Sequence, residues 1–365
     1  MSKIISIATG VPAYKHQQTD ICAFADTIYS SSETDSRKLK FLYRQSGIDT
    51  RYSVLPDYSC EAADRQFYGI AKNLEPFPNL EKRMEWYAGA AAILSVDTIK
   101  KCIQGKIESS EITHLITVSC TGMSAPGLDL EIMEAMNLSP NIFRTSINFM
   151  GCYAAIHALK LADALCCANE AANVIIVCTE LCTLHFQKEN SIDNITSTLL
   201  FADGCAAVLI QNKESKVKGI RIKSFFSDVA FKGKKDMSWR LSSKGFLMTL
   251  TGYVPDLVKE DFDNLLNKAL QAANIDKSSV SHWCIHPGGK KILEAIQQST
   301  GLHQNDLQYS YDILKEFGNM SSPTVLFVLQ KILQELQEQP RENATIFGVA
   351  FGPGLTMETF IATYD

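Results

Sequence analysis

The sequence predicts an α/β protein with largely buried sheets, organised as two halves. Short apolar runs alternate with longer stretches of helical periodicity, a pattern typical of strands that alternate with helices. The segments FADGCAAVLI (201–210) and FGPGLTMETFI (351–361) both place a glycine-containing turn before an apolar strand, which hints at an internal duplication without establishing one. The polar stretch NKESK (212–216) is predicted to connect a first half, residues 1–215, to a second half, residues 216–365.

The predicted elements follow one another along the chain. Strands are expected where short apolar runs are bounded by polar or glycine-containing segments, at residues 112–120, 174–178, 205–211, 217–226, 280–285, 344–351 and 356–363. Helices are expected where apolar residues recur with the helical period, at residues 83–104, 127–136, 153–169, 256–273, 290–298 and 323–337.

Composition excludes several classes of protein. The 365 residues are 46% hydrophobic and 21% charged, enough apolar material for a large core. The net charge of −5 argues against nucleic acid as a partner, because phosphate binding requires a concentrated basic surface. No run of apolar residues is long enough for a membrane span, and the N-terminus lacks the pattern of a secretory signal. We therefore expect a cytoplasmic protein.

The chain has eleven cysteines, an odd number in a long chain. Most lie inside apolar runs, where a reduced thiol behaves as a small core hydrophobe, so a disulfide scaffold is not expected. Cys152 differs from the others. It follows a strand-like run and Gly151 and precedes an Ala- and Leu-rich helix that is predicted to be buried on most faces.

The position of Cys152 is typical of a nucleophile. The start of a helix offers unpaired N–H groups and the positive end of the helix dipole, which both favour thiolate over thiol. Gly151 would permit the tight turn that leaves the sulfur accessible. The segment alone is equally compatible with one more packed thiol.

Two further segments strengthen the functional interpretation. His286 ends a predicted strand at the turn Pro287–Gly288–Gly289, a place where a side chain points into a cleft more often than into a core. Asn319 lies in the loop before a predicted helix, where its amide could bind a ligand or form an Asx-turn. Cys, His and Asn together predict acyl transfer through a thioester, with His and Asn donating to a developing oxyanion.

Eight segments carry a family resemblance that spans nearly the whole chain. They are VSCTGMSAPGLD (118–129), RTSINFMGCYAA (144–155), VCTELCTLHF (177–186), LLFADGCAAVLI (199–210), MSWRLSSKGFLMTLTGYVP (237–255), IHPGGKKIL (285–293), FGNMSSPTVLF (317–327) and FGPGLTMET (351–359). In this order they resemble the chalcone synthase-like type III polyketide synthases, which belong to the thiolase-fold ketosynthases.

The resemblance implies a thiolase-like, duplicated five-layered αβαβα fold and a homodimer. Cys152 would carry an acyl starter from its CoA thioester and then the growing chain. His286 would hold the thiolate as an ion pair and, with Asn319, promote decarboxylation of malonyl-CoA. The poly-β-keto product would cyclise to a pyrone or to a resorcinol- or phloroglucinol-type ring. No metal or redox cofactor would be required.

The resemblance also assigns the cavity. Phe201 matches a gatekeeping phenylalanine, and Met248 replaces a second one, which is expected to loosen the constriction. The other expected lining residues are Cys120, Thr121, Cys182, Leu184, His185, Trp239 and Ser321, with Gly352, Pro353 and Gly354 as a wall. Cys120, Cys182 and His185 depart from the plant enzymes and disfavour a chalcone product. Glu180 and Ser321 match two members of a hydrogen-bonded trio that directs aldol cyclisation in some relatives, with Cys120 as the third.

Contacts with CoA are predicted less directly. Lys38 matches a basic position of the family, whereas Lys40 and Arg44 are displaced by one position from two others. Lys290 and Lys291 could add positive charge near the tunnel mouth. Each of these residues could equally belong to a solvated helix face.

Other functions remain open at this stage. A fatty-acid-initiating ketoacyl synthase would share the Cys, His and Asn, and a cysteine hydrolase would share the first two. His282, Cys284 and His286 alternate along one strand and could ligate zinc, although no fourth ligand is evident. A catalytically silent acyl-CoA-binding scaffold would keep the cavity without needing a reactive cysteine.

Overall fold

Thirteen strands and ten α-helices make up the computed structural model, which describes residues 1–341 and 343–365. The strands are β1 (Ser2–Gly10), β2 (Tyr14–Gln17), β3 (Thr50–Ser53), β4 (His114–Ser119), β5 (Phe143–Asn148), β6 (Asn173–Leu181), β7 (Asp203–Asn212), β8 (Ile220–Val229), β9 (Met237–Ser242), β10 (Gly245–Leu250), β11 (His282–Ile285), β12 (Thr345–Gly352) and β13 (Thr356–Tyr364). The helices are α1 (Gln18–Tyr29), α2 (Glu33–Gln45), α3 (Leu80–Ile103), α4 (Leu128–Ala135), α5 (Ala154–Ala168), α6 (Ile192–Leu200), α7 (Val254–Ala272), α8 (Lys290–Thr300), α9 (Gln308–Phe317) and α10 (Thr324–Glu338).

The strand order reveals the duplication. In the described residues, nine strands form one sheet in the order β11-β12-β13-β8-β1-β7-β6-β4-β5. From its centre, β1-β7-β6-β4 and β8-β13-β12-β11 run outwards with the same sequence of two antiparallel pairings and one parallel pairing. The two similar segments noted in the sequence extend into β7 and β13, which are equivalent strands. The predicted duplication is therefore confirmed.

The halves meet in a narrow seam. Strand β1 pairs with β8 only through Lys3 with Arg221 and Ile4 with Ile220. The predicted division between residues 215 and 216 falls in the connection from β7 to β8; that it separates two domains stays a prediction.

Helices α5 and α10 lie in the middle of five layers. Helix α5 contacts β4, β6 and β7 of the first half and β13 of the second, while α10 contacts β11 of the second half and β1 and β7 of the first. Ala154, Ala155 and Ala158 of α5 are completely buried, and these small side chains allow close packing against the strands of both halves. Helices α3 and α4 cover the outer face of the first half, and α7 and α8 cover that of the second. The predicted αβαβα arrangement is confirmed.

All seven predicted strands and all six predicted helices are present, with shifts at their ends. The sequence interpretation did not list β1, β2, β3, β5 or the hairpin β9–β10 among the strands, nor α1, α2, α6 and α9 among the helices; only the end of β5 was noted, as a strand-like run before Gly151. Among the described residues, no helix combines the length and the apolar composition needed to cross a membrane.

Candidate active site

A sharp turn between β5 and α5 carries Cys152. Gly151 has a φ of +81°, and a Cβ at this position would lie 2.2 Å from Cδ of Pro353. Phe149, just before it, also has a positive φ of 58°. Backbone strain of this kind persists where the surrounding structure imposes it, often at functional sites. The predicted turn is confirmed, with α5 starting two residues after Cys152.

His286 and Asn319 reach the same region from the second half. His286 follows β11 directly, and its backbone N–H donates to Val349 O at 2.9 Å. Both ring nitrogens of His286 are buried, with no hydrogen-bond partner among the described residues. Asn319 Oδ1 accepts from Ser321 N at 2.8 Å, and its Nδ2 donates to Gly288 O at 3.1 Å. The amide is therefore oriented, with one of its two N–H donors uncommitted by these bonds.

The three side chains line one cavity of about 340 Å³ whose walls are mostly apolar. A cavity of this size with a few convergent polar groups is typical of a small-molecule site. Its position follows from the duplication. Cys152 precedes α5 and Asn319 precedes the equivalent α10, while Cys120 follows β4 and His286 follows the equivalent β11. The cavity therefore lies where corresponding strand ends of both halves meet.

Burial shifts the pKa values of both Cys152 and His286. It raises the pKa of Cys152 to about 12, although hydrogen bonding from Ser321 and Asn319 opposes the shift. It also lowers the pKa of His286 to about 3. Burial therefore disfavours the charged form of each group, in opposition to the helix start; the Cys152–His286 ion pair that the resemblance implies stays a prediction.

Most of the predicted lining residues reach the cavity. They are Phe201, Met248, Cys120, Thr121, Cys182, His185, Trp239, Ser321 and Pro353. Leu184, Gly352 and Gly354 do not. Residues 182–185 form a 3₁₀ turn in which Cys182 and His185 share one side, so Leu184 points into the core. A Cβ on Gly352 would meet Tyr153 at 2.5 Å, which shows that this glycine packs behind the nucleophile turn.

An aromatic wall closes the cavity on the side of the β9–β10 hairpin. The ring of His185 stacks on Phe246 with centroids 4.3 Å apart, and Trp239 meets both rings edge-on. His185 Nδ1 accepts from Phe246 N, so Nε2 carries the hydrogen that it donates to Thr121 O. Trp239 Nε1 donates to Cys120 O at 2.7 Å. Burial lowers the pKa of His185 to about 3, so this wall is uncharged.

The predicted trio around Glu180 is arranged differently from the expectation. The buried carboxylate accepts from Cys120 N, from Thr121 Oγ1 and from Ser322 Oγ, at 2.8–3.0 Å. Ser321 instead lies beside the nucleophile, where its Oγ accepts from the Cys152 thiol at 3.7 Å. The Cys120 sulfur accepts from Gly151 N at 3.0 Å. Ser322, rather than the expected Ser321, is therefore the serine that contacts Glu180.

The comparisons with known proteins agree with this site. The family model described as "Chalcone and stilbene synthases, N-terminal domain" matches residues 1–213, and the model of the C-terminal domain matches residues 222–363. The chain belongs to the chalcone and stilbene synthase family.

Similar proteins cover the whole length of this chalcone and stilbene synthase family member. It is 30% identical over 360 residues to the "Alpha-pyrone synthesis polyketide synthase-like Pks18" of Mycobacterium tuberculosis, covering 97% of this chain and 89% of that one. It is 28% identical over 372 residues to a "Putative chalcone synthase" of Bacillus subtilis, covering 100% and 99%. The crystal structure of PKS-I from the brown alga Ectocarpus siliculosus matches with a TM-score of 0.92 at 26% identity, covering 100% and 98%.

These comparisons settle the class. The protein is a type III polyketide synthase, an acyltransferase dependent on malonyl-CoA. The hydrolase, the ketoacyl synthase and the silent scaffold are therefore set aside. The C-terminal type III domain of Steely1 from Dictyostelium shares the fold, with a TM-score of 0.90 at 23% identity, covering 100% of this chain and 99% of that one.

Only some of the basic residues predicted to contact CoA line the cavity. Lys290 and Lys291 line the cavity, as do Gln45, the last residue of α2, and Ser46, which follows it. The exposed Lys38, Lys40 and Arg44 do not line it, and Lys40 pairs with Asp26 at 3.1 Å. Their contact with CoA stays a prediction.

The side chains considered for zinc do not converge. His282 bonds to Ser281 Oγ at 2.8 Å and faces Glu335 at 3.4 Å, and Cys284 donates to Val325 O. In the part of the chain that the structure describes, no three His, Cys, Asp or Glu side chains are placed to hold a metal ion.

Two residues at the cavity escaped the sequence interpretation. Phe246 lies in GFLMTL, a segment noted only as part of a family motif, and its backbone N–H fixes His185. Arg51 lies about 70 residues before the first motif, in a short strand that was not predicted, so only its unusual burial could have signalled it.

Proposed function

We propose that the protein loads an acyl group from acyl-CoA onto Cys152, extends it with malonyl-CoA and releases a cyclised polyketide, chiefly an α-pyrone. One observation carries this proposal. A thiol, an imidazole with two free nitrogens and an oriented amide line a single apolar cavity in a type III polyketide synthase.

Loading requires proton transfer from the thiol. Burial favours the neutral forms of Cys152 and His286, so in this proposal the imidazole accepts the Sγ proton as sulfur attacks the thioester carbonyl. The C–S bond to CoA then breaks, and CoA leaves as a thiol after taking up that proton. The product is the acyl-Cys152 thioester, and His286 returns to its neutral form.

Extension uses His286 and Asn319 as hydrogen-bond donors. Malonyl-CoA loses CO₂, and the electron pair of the broken C–C bond forms an enolate of acetyl-CoA. Its oxygen would accept from the His286 ring N–H and from the uncommitted Asn319 N–H. The enolate carbon attacks acyl-Cys152, and the thiolate that leaves is free for the next cycle. The largely apolar walls exclude water, which would otherwise hydrolyse the thioester.

The arrangement of Glu180 favours the pyrone. Ser321 bonds to Cys152, and Ser322 contacts Glu180 in its place, so the trio linked to aldol closure in relatives lacks its expected serine. Closure by an enol oxygen onto the thioester carbonyl needs no such trio and gives a lactone. The relative from M. tuberculosis carries α-pyrone synthesis in its name.

The apolar lining favours a fatty acyl starter. Ile21, Ile195, Leu199 and Leu200 line one side of the cavity and offer no polar partner for a substituted starter. We further propose a homodimer that needs neither metal nor redox cofactor, since the steps above exchange no electrons with an external group. Sedimentation would measure the oligomeric state, and dialysis against EDTA should leave activity unchanged.

The decisive experiment combines labelled malonyl-CoA with acyl-CoA starters of increasing chain length. The wild type should give products whose masses correspond to the starter plus acetate units, retained as lactones. Cys152→Ala should abolish both starter loading and product. Cys167→Ser is the matched control, because Cys167 is exposed at the far end of α5 and should be dispensable. Undiminished condensation by Cys152→Ala would refute the proposal, and resorcinol products would refute the ring closure.

A further inference from the structure

Arg51, in β3, is a buried cation without a counter-ion in contact. Its side chain lines the cavity, yet the residue is only 3% exposed. No carboxylate pairs with it within 4.0 Å among the residues that the structure describes, and its Nη2 has no hydrogen-bond partner there. Burying an incompletely paired guanidinium is costly, so this residue is not explained by a contribution to stability.

The bonds that Arg51 does make connect it to the gatekeeping segment. Its Nη1 donates to Phe201 O at 2.5 Å, and its Nε donates to Gln18 Oε1 at 2.9 Å. Gln18 in turn donates to Leu199 O at 3.0 Å. The guanidinium and this glutamine thus hold the end of α6 from two directions.

The stem of Arg51 also supports the segment that carries Asn319. Gly318 has a φ of +69°, and a Cβ there would lie 2.8 Å from Arg51 Cδ and 2.9 Å from Cγ. The backbone of Gly318 therefore rests directly on the arginine stem. A side chain at residue 318 would displace the arginine or the loop.

Phe201 and Asn319 are themselves joined by an isolated parallel bridge. Asn319 N donates to Leu200 O at 2.9 Å, and Ala202 N donates to Asn319 O at 2.9 Å. Arg51 contacts both sides of this bridge, through Phe201 O on one and Gly318 on the other. A shift of its side chain would move both segments.

We propose that Arg51 is a positioning residue that fixes the Phe201–Asn319 bridge and so holds the Asn319 amide where it meets the malonyl thioester. This inference rests on the proposed role of Asn319. The fork of the guanidinium donates to Gln18 and Phe201 at once, whereas the single ammonium of a lysine cannot reproduce that geometry. Misplacement of a catalytic group by about 1 Å can cost on the order of a hundredfold in rate.

The test compares Arg51→Met, Arg51→Lys and the distant control Arg221→Met, which removes a half-exposed arginine that bonds to Asp365. Two reactions are measured separately: decarboxylation of malonyl-CoA, and transfer of a radiolabelled acyl group to Cys152. Arg51→Met should lower kcat of decarboxylation by about tenfold to a hundredfold with little change in KM, while acyl transfer continues. Arg51→Lys should show a similar loss of decarboxylation, and this variant provides the test if Arg51→Met does not fold. Arg221→Met should behave as wild type.

A double variant separates positioning from general support of the fold. If Arg51 acts through Asn319, then Arg51→Met should change decarboxylation less than about twofold in the Asn319→Ala background. Multiplicative losses, or equal losses of decarboxylation and acyl transfer, would overturn the inference. If the Arg51 variants keep full decarboxylation and only Asn319→Ala loses it, the inference about Arg51 would be overturned and the proposed role of Asn319 would stand. Full decarboxylation by Asn319→Ala would overturn the proposed role of Asn319 as well.

Discussion

Replacing Gly151 by alanine should destabilise the turn that carries Cys152 for two reasons, an unfavourable backbone conformation and a steric clash. Alanine at a φ of +81° costs roughly 1–2 kcal/mol. Its Cβ would also lie 2.2 Å from Pro353 Cδ and 2.8 Å from Cγ, and such overpacking costs typically about 1–3 kcal/mol more. We therefore expect Gly151→Ala to lower the free energy of unfolding by about 2–5 kcal/mol.

Urea unfolding of matched variants tests this reasoning. Gly105 has a φ of +69°, but a Cβ added there would meet no atom within 4 Å, so Gly105→Ala should show only the conformational cost of roughly 1–2 kcal/mol. Adding Pro353→Ala to Gly151→Ala removes the two clashing atoms and should recover part of the loss as an interaction energy of about 1–3 kcal/mol. Equal destabilisation by Gly151→Ala and Gly105→Ala, with strictly additive effects in the double variant, would refute the clash.

Three further predictions concern the cavity. With a pKa of about 12, only about 10⁻⁵ of Cys152 is thiolate at pH 7. The rate of its alkylation by iodoacetamide, measured by peptide mass spectrometry, should therefore rise about tenfold per pH unit from pH 6 to 10. A plateau of this rate near neutral pH would instead reveal an ion pair with His286. Burial raises the pKa of Glu180 from 4.5 to about 7, so its unfolded form binds fewer protons, and stability present below pH 4.5 is lost as pH rises through 7. Urea midpoints should show this as about 2–3 kcal/mol less stability at pH 8 than at pH 5, a difference that Glu180→Gln should remove and whose persistence would contradict the assignment. Met248→Phe should narrow the constriction and shift kcat/KM towards shorter starters by about tenfold, and an unchanged preference across the acyl-CoA series would show that Met248 does not limit chain length.

The sequence predicted the parts of the fold that have strong local signals. The strands of the two halves are continuous apolar runs, and their equivalence is visible in the similar segments that lead into β7 and β13. Cys152 and Asn319 each follow a glycine, and His286 directly precedes a proline, in each case near the end of a strand or helix. The hairpin β9–β10 was missed because its residues are only partly buried and lack clear alternation.

The errors at the site have physical causes that a linear sequence does not display. The family resemblance placed Leu184 on the cavity wall, whereas the 3₁₀ period turns it away. The pKa of Cys152 was expected to fall because a helix start stabilises an anion by typically about 0.3–1 kcal/mol. Burial of Cys152 acts in the opposite direction and raises that pKa, an effect that a linear sequence does not display. Arg51 contacts residues 150 and more positions away, so no local pattern could announce it.

Because equivalent strand ends of the repeated halves face one another, neither half can contain a working catalyst. The part of the chain that leaves the ribosome first carries the sulfur, and the segments that bring the imidazole and the amide are made later. Under the proposed mechanism, Cys152 lacks the base that receives its proton until the second half packs against the first. The proposed mechanism therefore requires both halves, and a chain that ends before His286 is expected not to consume CoA thioesters.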